Sequence, residues 1–84
     1  MDFTAGIKIT IGINNLNIQL SLDKEETFSI SIVSVTGQII YKEELTNVSG
    51  DFNEQIDVSG FNKGIYFLQL LNSKGIITKK IILE

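Results

Sequence analysis

Chemistry in this chain would fall to carboxylates, lysines, hydroxyls and tyrosines, because it contains neither histidine nor cysteine. The commonest general base and the strongest nucleophile are therefore both missing, as are the side chains of a disulfide framework or a Cys/His zinc centre. Adjacent carboxylates occur at Glu25-Glu26 and Glu43-Glu44. Neighbouring side chains on an extended segment point to opposite faces, so Glu43 and Glu44 do not converge on one substrate and read as solvated surface. Gly50-Asp51-Phe52-Asn53-Glu54 alternates oxygen-bearing groups, but without the D-x-[DN]-x-[DN]-G pattern of a calcium loop turn chemistry is favoured over cation binding. Tyr66 and Phe67 invite an aromatic platform for sugars or bases. As neighbours they face opposite ways with no second aromatic at i+2 to extend either, which favours core packing. The Lys79-Lys80 pair serves either edge protection and solubility or an electrostatic contact. No cofactor, metal or small-molecule substrate is implied.

The elements that must carry these groups are strands, since apolar residues recur at every second position through most of the chain. Ile7, Ile9, Ile11 and Ile13 form one alternating set, and after the turn-suited Asn14-Asn15 a second follows at Leu16, Ile18, Leu20 and Leu22. Asp23 to Glu26 reads as a charged connection, then Phe28, Ile30 and Ile32 alternate with Thr27, Ser29 and Ser31 to give a strand with a hydroxyl-bearing outer face. Thr36-Gly37 punctuates it. Ile39 to Tyr41 opens a fourth strand, Thr46 to Asp51 reads as a loop, and Phe52, Ile56 and Val58 suggest a weaker fifth. Ile65 to Leu71 is nearly continuous apolar sequence, which predicts a central strand buried on both faces. Asn72-Ser73-Lys74-Gly75 is a hairpin signal, and Ile76 to Leu83 closes the chain. About seven short strands at this spacing predict an all-β fold, a small antiparallel β-sandwich of immunoglobulin-like type. With no proline anywhere, edge strands lack that guard, and Lys8, Lys42 or the Lys79-Lys80 pair would take the role.

Eighty-four residues, 43% of them hydrophobic, suffice for one small core and not two, so residues 1–84 form a single domain, with Met1 to Gly6 read as a linker remnant. A net charge of −3 from ten acidic residues against seven lysines, and no arginine, argues against nucleic-acid binding. No apolar run reaches the roughly 18 residues that span a bilayer. Met1-Asp2-Phe3 lacks the basic start and apolar stretch of a secretory signal, so export would need a targeting segment of a longer parent protein.

Three stretches together resemble a known family. Val33-Ser34-Val35-Thr36-Gly37-Gln38-Ile39-Ile40-Tyr41 is similar to its strand–turn–strand element. Ile56-Asp57-Val58-Ser59-Gly60-Phe61-Asn62-Lys63-Gly64-Ile65-Tyr66-Phe67-Leu68 matches its Ser-Gly turn followed by Lys-Gly-Ile-Tyr opening a buried strand. Gly75 with Lys79-Lys80-Ile81-Ile82 matches its closing hairpin and lysine-bearing tail. The family is the C-terminal sorting domain of the type IX (Por) secretion system of Bacteroidetes, and the resemblance covers about Leu16 to Glu84. Where members usually enter the first strand through an Asn-Pro element, this chain offers a further alternating strand, Ile7 to Ile13.

The resemblance implies a domain that is recognised and does not catalyse. A passenger protein ahead of it would cross the periplasm, be presented to the outer-membrane translocon and reach the cell surface or the medium. A cell-surface sortase would cut ahead of the domain and release the passenger or join it to lipopolysaccharide. The family's positions carry over to Gly37, Gly64, Ile65, Tyr66, Gly75, Lys79 and Lys80: glycines to shape turns, Tyr66 to anchor the penultimate strand, and the lysines with the last strand to form the surface that is read. An exposed final strand would dock by adding to a partner's sheet. The alternative class is an accessory carbohydrate-binding or fibronectin-like module, which needs an exposed aromatic pair or a cation site; a further one is a structural adhesin, which unguarded edges would favour.

Overall fold

Alternating apolar residues can satisfy both backbone and side chains only in a sheet with one wet face, and the computed structural model, which describes residues 6–84, shows one. Its strands are β1 (Gly6–Ile11), β2 (Asn15–Ser34), β3 (Ile39–Asp57), β4 (Gly64–Asn72) and β5 (Gly75–Leu83), all paired antiparallel. β3 pairs with β2 from Asn15 to Val33, which leaves the other edge of β2 to β1 along its first half and to β4 along its second. β5 then pairs with β4.

Five strands replace the predicted seven, and the sheet is a curled half-barrel in place of an immunoglobulin-like sandwich. Ile13 and Val58, expected in strands, fall just outside β1 and β3, whereas Asp23–Glu26 and Thr46–Asp51, expected as connections, do not end β2 and β3. β2 and β3 run straight through them on irregular pairing between Leu22 and Phe28, with Asn47 at φ 56° and Gly50 at φ 71° opposite. A bulge lets a strand bend and twist without ending, and Asn and Gly are the residues that accept positive φ at low cost. The 20 residues of β2 would span about 66 Å if straight, at ~3.3 Å each. The molecule measures 35 × 23 × 18 Å, so β2 and β3 are folded in two.

The bend keeps one face inward. Leu16, Ile18 and Leu20 before it and Phe28, Ile30 and Ile32 after it are all buried and all even-numbered, so the sheet wraps around its own concave side. Ile56, Leu68, Leu70 and Ile81 complete that core. Phe28 and Phe52 meet across the curl edge-to-face at 5.9 Å and 88°, a favoured geometry for an aromatic pair.

At the bend, Glu26 is buried with 8% of its surface exposed. Its carboxylate accepts a hydrogen bond from Asn72 Nδ2 at 3.3 Å and lies 4.0 Å from Lys74 Nζ. Asn72 Oδ1 in turn accepts from the backbone N–H groups of Lys74 and Gly75 at 2.8 and 3.1 Å. One asparagine thus ties the bulge of β2 to the β4–β5 turn. That turn is where the sequence predicts it.

β4 is not buried on both faces. Tyr66, Leu68 and Leu70 point inward, whereas Ile65 and Leu71 are exposed, because nothing among the described residues covers the convex side. β4 is nonetheless an interior strand, as expected of Ile65 to Leu71, paired to β2 over Tyr66–Leu71 and to β5 over Gly64–Asn72. Gly6, at the end of the segment read as a linker remnant, opens β1; residues 1–5 of that segment lie outside the described residues.

Candidate recognition surface

Of the seven positions singled out by resemblance, six lie on the β4–β5 hairpin, five of them close together at the end away from its turn. Gly64 pairs with Leu83, Ile65 with Ile82, Tyr66 with Ile81, Phe67 with Lys80 and Leu68 with Lys79. Gly75 sits at the far end of the same hairpin, opposite Asn72. Gly37 is on the β2–β3 turn, and because Ser34 pairs with Tyr66, that turn lies beside the start of β4.

Tyr66 is buried, and its hydroxyl donates to the Asn62 carbonyl oxygen at 2.5 Å. Its ring lies 5.9 Å from that of Phe61, whose N–H donates to the Val58 carbonyl at 3.0 Å. The Val58–Gly64 connection is thereby pinned to the first turn of the hairpin. Asp57 helps hold its start: its carboxylate accepts from Ser59 N at 2.9 Å, and hydrogen bonds from Ser59 hold its pKa below the usual value. Gly64 and Gly75 adopt φ of 147° and 157°.

Gly37 has φ 92°, a region that side chains with a Cβ rarely enter. A Cβ there would touch nothing within 4 Å, so the requirement is one of backbone conformation and not of space. The turn is closed by Gly37 N donating to Ser34 O at 3.0 Å and Ser34 N donating to Gln38 O at 2.9 Å. The Ser34 hydroxyl adds bonds to Thr36 Oγ1 at 2.9 Å and from Gln38 N at 3.2 Å.

The lysine pair is split by the pleat. Lys80 lies on the convex face in register with Phe67, and Lys79 on the concave side in register with Leu68, with both exposed at the edge. An inward-pointing charge on an edge strand blocks further strand pairing. Lys8 on β1 and Lys42 on β3 also stand on edge strands, so each lysine named as a guard is where a guard is needed.

A carboxyl cluster escaped the sequence reading. Glu43 and Glu44 do face opposite ways, in register with Ile30 and Ser29 respectively. Glu43, however, meets Glu54 from the other half of β3. The hydrogen bond between the two carboxyls, then burial, then the charge of Glu43 push the Glu54 pKa up to about 7. Tyr41 donates to Glu43 Oε1 at 2.9 Å, and burial first, then Glu43 and the charge of Glu54, raise its pKa to about 12. The alternation carried the signal: Glu43 shares parity with Tyr41 and Leu45, and Glu54 with Phe52 and Ile56, so both had to point inward. That they converge depends on the fold of β3 upon itself.

The Gly50–Glu54 segment, read as a turn, is strand apart from the positive φ of Gly50. No group of three or more acidic side chains placed to hold a metal ion occurs among the described residues, and no aromatic among them is fully exposed. No helix among them is long and apolar enough to cross a membrane.

Compared with known proteins, residues 12–84 match a family model described as the secretion system C-terminal sorting domain. No curated protein matches the chain.

Proposed function

The chain belongs to the secretion-system C-terminal sorting domains, the sorting signals of type IX secretion, and from that premise we propose that it acts by being read, with no catalysis of its own. Such a domain has a passenger protein attached ahead of it and directs export to the cell surface or extracellular space. In the proposed sequence of events the passenger waits in the periplasm, the folded domain is recognised by the outer-membrane translocon, and a cell-surface sortase then cuts ahead of β1. The closing hairpin with Tyr66, Lys79 and Lys80 is the part that is recognised.

The observation that carries this reading is the extent of the family match, which spans both long strands and the entire hairpin. The hairpin is built as a presented element: rigid at its start through Tyr66 and Asn62, rigid at its turn through Asn72, and edge-exposed along β5 between them. The accessory-module alternative lacks an exposed aromatic platform among the described residues.

The reading is tested by fusing residues 1–84 behind a periplasm-targeted reporter in a bacterium that has the type IX system and in the same strain without its outer-membrane channel. Surface exposure of the reporter only in the first strain is the expected result. Equal exposure in both would refute the sorting role.

A further inference from the structure

Folding β2 and β3 in two gives the molecule two poles. One is the bend pole, with Leu22–Glu26 and the Asn72–Gly75 turn joined through the Glu26–Asn72 hydrogen bond. Gly6 lies toward it, since it pairs with Ser21. The other is the open pole, with the Gly12–Asn15 turn, the Ser34–Gln38 turn, the start of β4 and the end of β5.

Exposed large apolar side chains are distributed unevenly between the two. Among the described residues, Ile11, Ile13, Val35, Ile39, Ile40, Ile65 and Ile82 belong to the open pole, and only Leu71 and Ile76 to the bend pole. Ile13 is 94% exposed, a large cost in ordered water for an isoleucine with no structural task. Five of the open-pole residues, Ile11, Ile13, Ile39, Ile65 and Ile82, are linked to one another or through Phe67. Ile65 and Ile82 pair across the ladder, and Ile82 lines one depression with Ile11 and Ile13, at whose margin Glu84 also stands. On the next rung Ile39, Val33, Phe67 and Lys80 are neighbours in register across four strands. An apolar patch of this kind on a small soluble domain marks an interaction site.

Lys80 sets the chemistry of what would cover it. It is the charge within that rung, and among the described residues the ion pair is Lys74 with Glu26, so Lys80 is left without a carboxylate. A partner with a matching apolar face gains most if it also places a carboxylate opposite Lys80. A passenger is attached ahead of β1, whose first residue, Gly6, lies toward the opposite, bend pole. We infer that the open pole, centred on Ile65, Ile82 and Lys80, is a docking surface for a protein of the export machinery that presents an apolar face bearing a carboxylate. This rests on the sorting reading and adds to it the surface, its polarity relative to the cargo, and the chemistry of the partner.

The exposed apolar pair at the bend pole supplies the control. In the reporter fusion, Ile65→Glu with Ile82→Glu is compared with Leu71→Glu and Ile76→Glu; the residues are similarly exposed and likewise paired across β4 and β5. Thermal melts of the purified fusions establish that each domain is folded, and Ile65→Ser with Ile82→Ser substitutes if the glutamate pair is not. Surface delivery is expected to fall by about tenfold or more for the open-pole pair, the loss typical of interface anchors, and to stay within about twofold for the bend-pole pair. Lys80→Glu should impair delivery where Lys80→Arg does not. Equal delivery by both pairs, or equal loss, would overturn the proposal while leaving the sorting role standing, since that role is judged by the strain without the channel. Sedimentation velocity supplies the remaining arm: a wild-type dimer abolished by the Ile65/Ile82 changes would make the occupant a second copy and overturn the assignment to an export partner.

Discussion

Two residues show how a side chain is fixed by what lies across from it. Tyr66 fills the core with its ring and places its hydroxyl on the Asn62 carbonyl. Tyr66→Phe should therefore cost about 1 kcal/mol, the net worth of one hydrogen bond, and Tyr66→Ala about 3–5 kcal/mol, as for other buried aromatics, both read from urea denaturation. Glu54 responds to pH in a defined direction. Its folded pKa of about 7 lies above the ordinary 4.5, so the folded state holds the shared proton more tightly than the unfolded state. That contribution to stability is complete below about pH 4.5 and is lost as pH rises through about 7. Unfolding free energy should fall over that window in the wild type, and Glu54→Gln should flatten the fall. A wild-type curve that instead rises between pH 5 and 7, with the variant unchanged, would show that the two carboxyls do not share a proton.

Elements here are longer than their sequence punctuation suggests. Charged Asp23–Glu26 and the Asn- and Gly-bearing stretch Thr46–Asp51 carry the usual marks of loops, yet backbone pairing is indifferent to side-chain polarity wherever solvent reaches the outer face. What bends the ladder is local: Asn47 and Gly50 in the positive-φ region opposite the irregular pairing of β2. Asn47→Gly should be nearly neutral, whereas Asn47→Val should destabilise by about 1–2 kcal/mol, since a β-branched residue resists that conformation. Denaturation midpoints of the two variants, at unchanged m-value, check this. The apolar run from Ile65 to Leu71 departs in the opposite sense, because hydrophobicity alone does not distinguish a strand buried on two faces from one whose outer face is exposed. The alternation of Leu16 to Leu22 and of Phe28 to Ile32, the Asn72–Gly75 hairpin and the Gly37 turn were all legible, being set by contacts within a few residues. The Glu43–Glu54 contact and the inward turn of Glu26 were not, because both arise only when distant halves of a strand close on each other.

As a whole, the molecule combines open edges with a sheet that does not close. Among the described residues β1, β3 and β5 each present an unpaired edge, and lysines at 8, 42, 79 and 80 occupy them. Replacing Lys79, whose Cα lies opposite Leu68 on the concave side, by isoleucine should leave thermal stability unchanged or higher while promoting self-association through β5. Light scattering against concentration reads that difference; equal scattering by both chains would show that Lys79 is not a guard. The same openness that must be guarded is what the proposed recognition of β5 relies on.

On the proposed reading, a passenger travels because this closing strand is present. The most direct measurement of this is the fraction of periplasmic passenger that reaches the cell surface when fused to the full chain or to a chain ending at Asn72. Expressing delivery as a fraction removes differences in the amount of protein. Surface passenger with the full chain and none with the shortened one is the result expected, and equal fractions from both would contradict it.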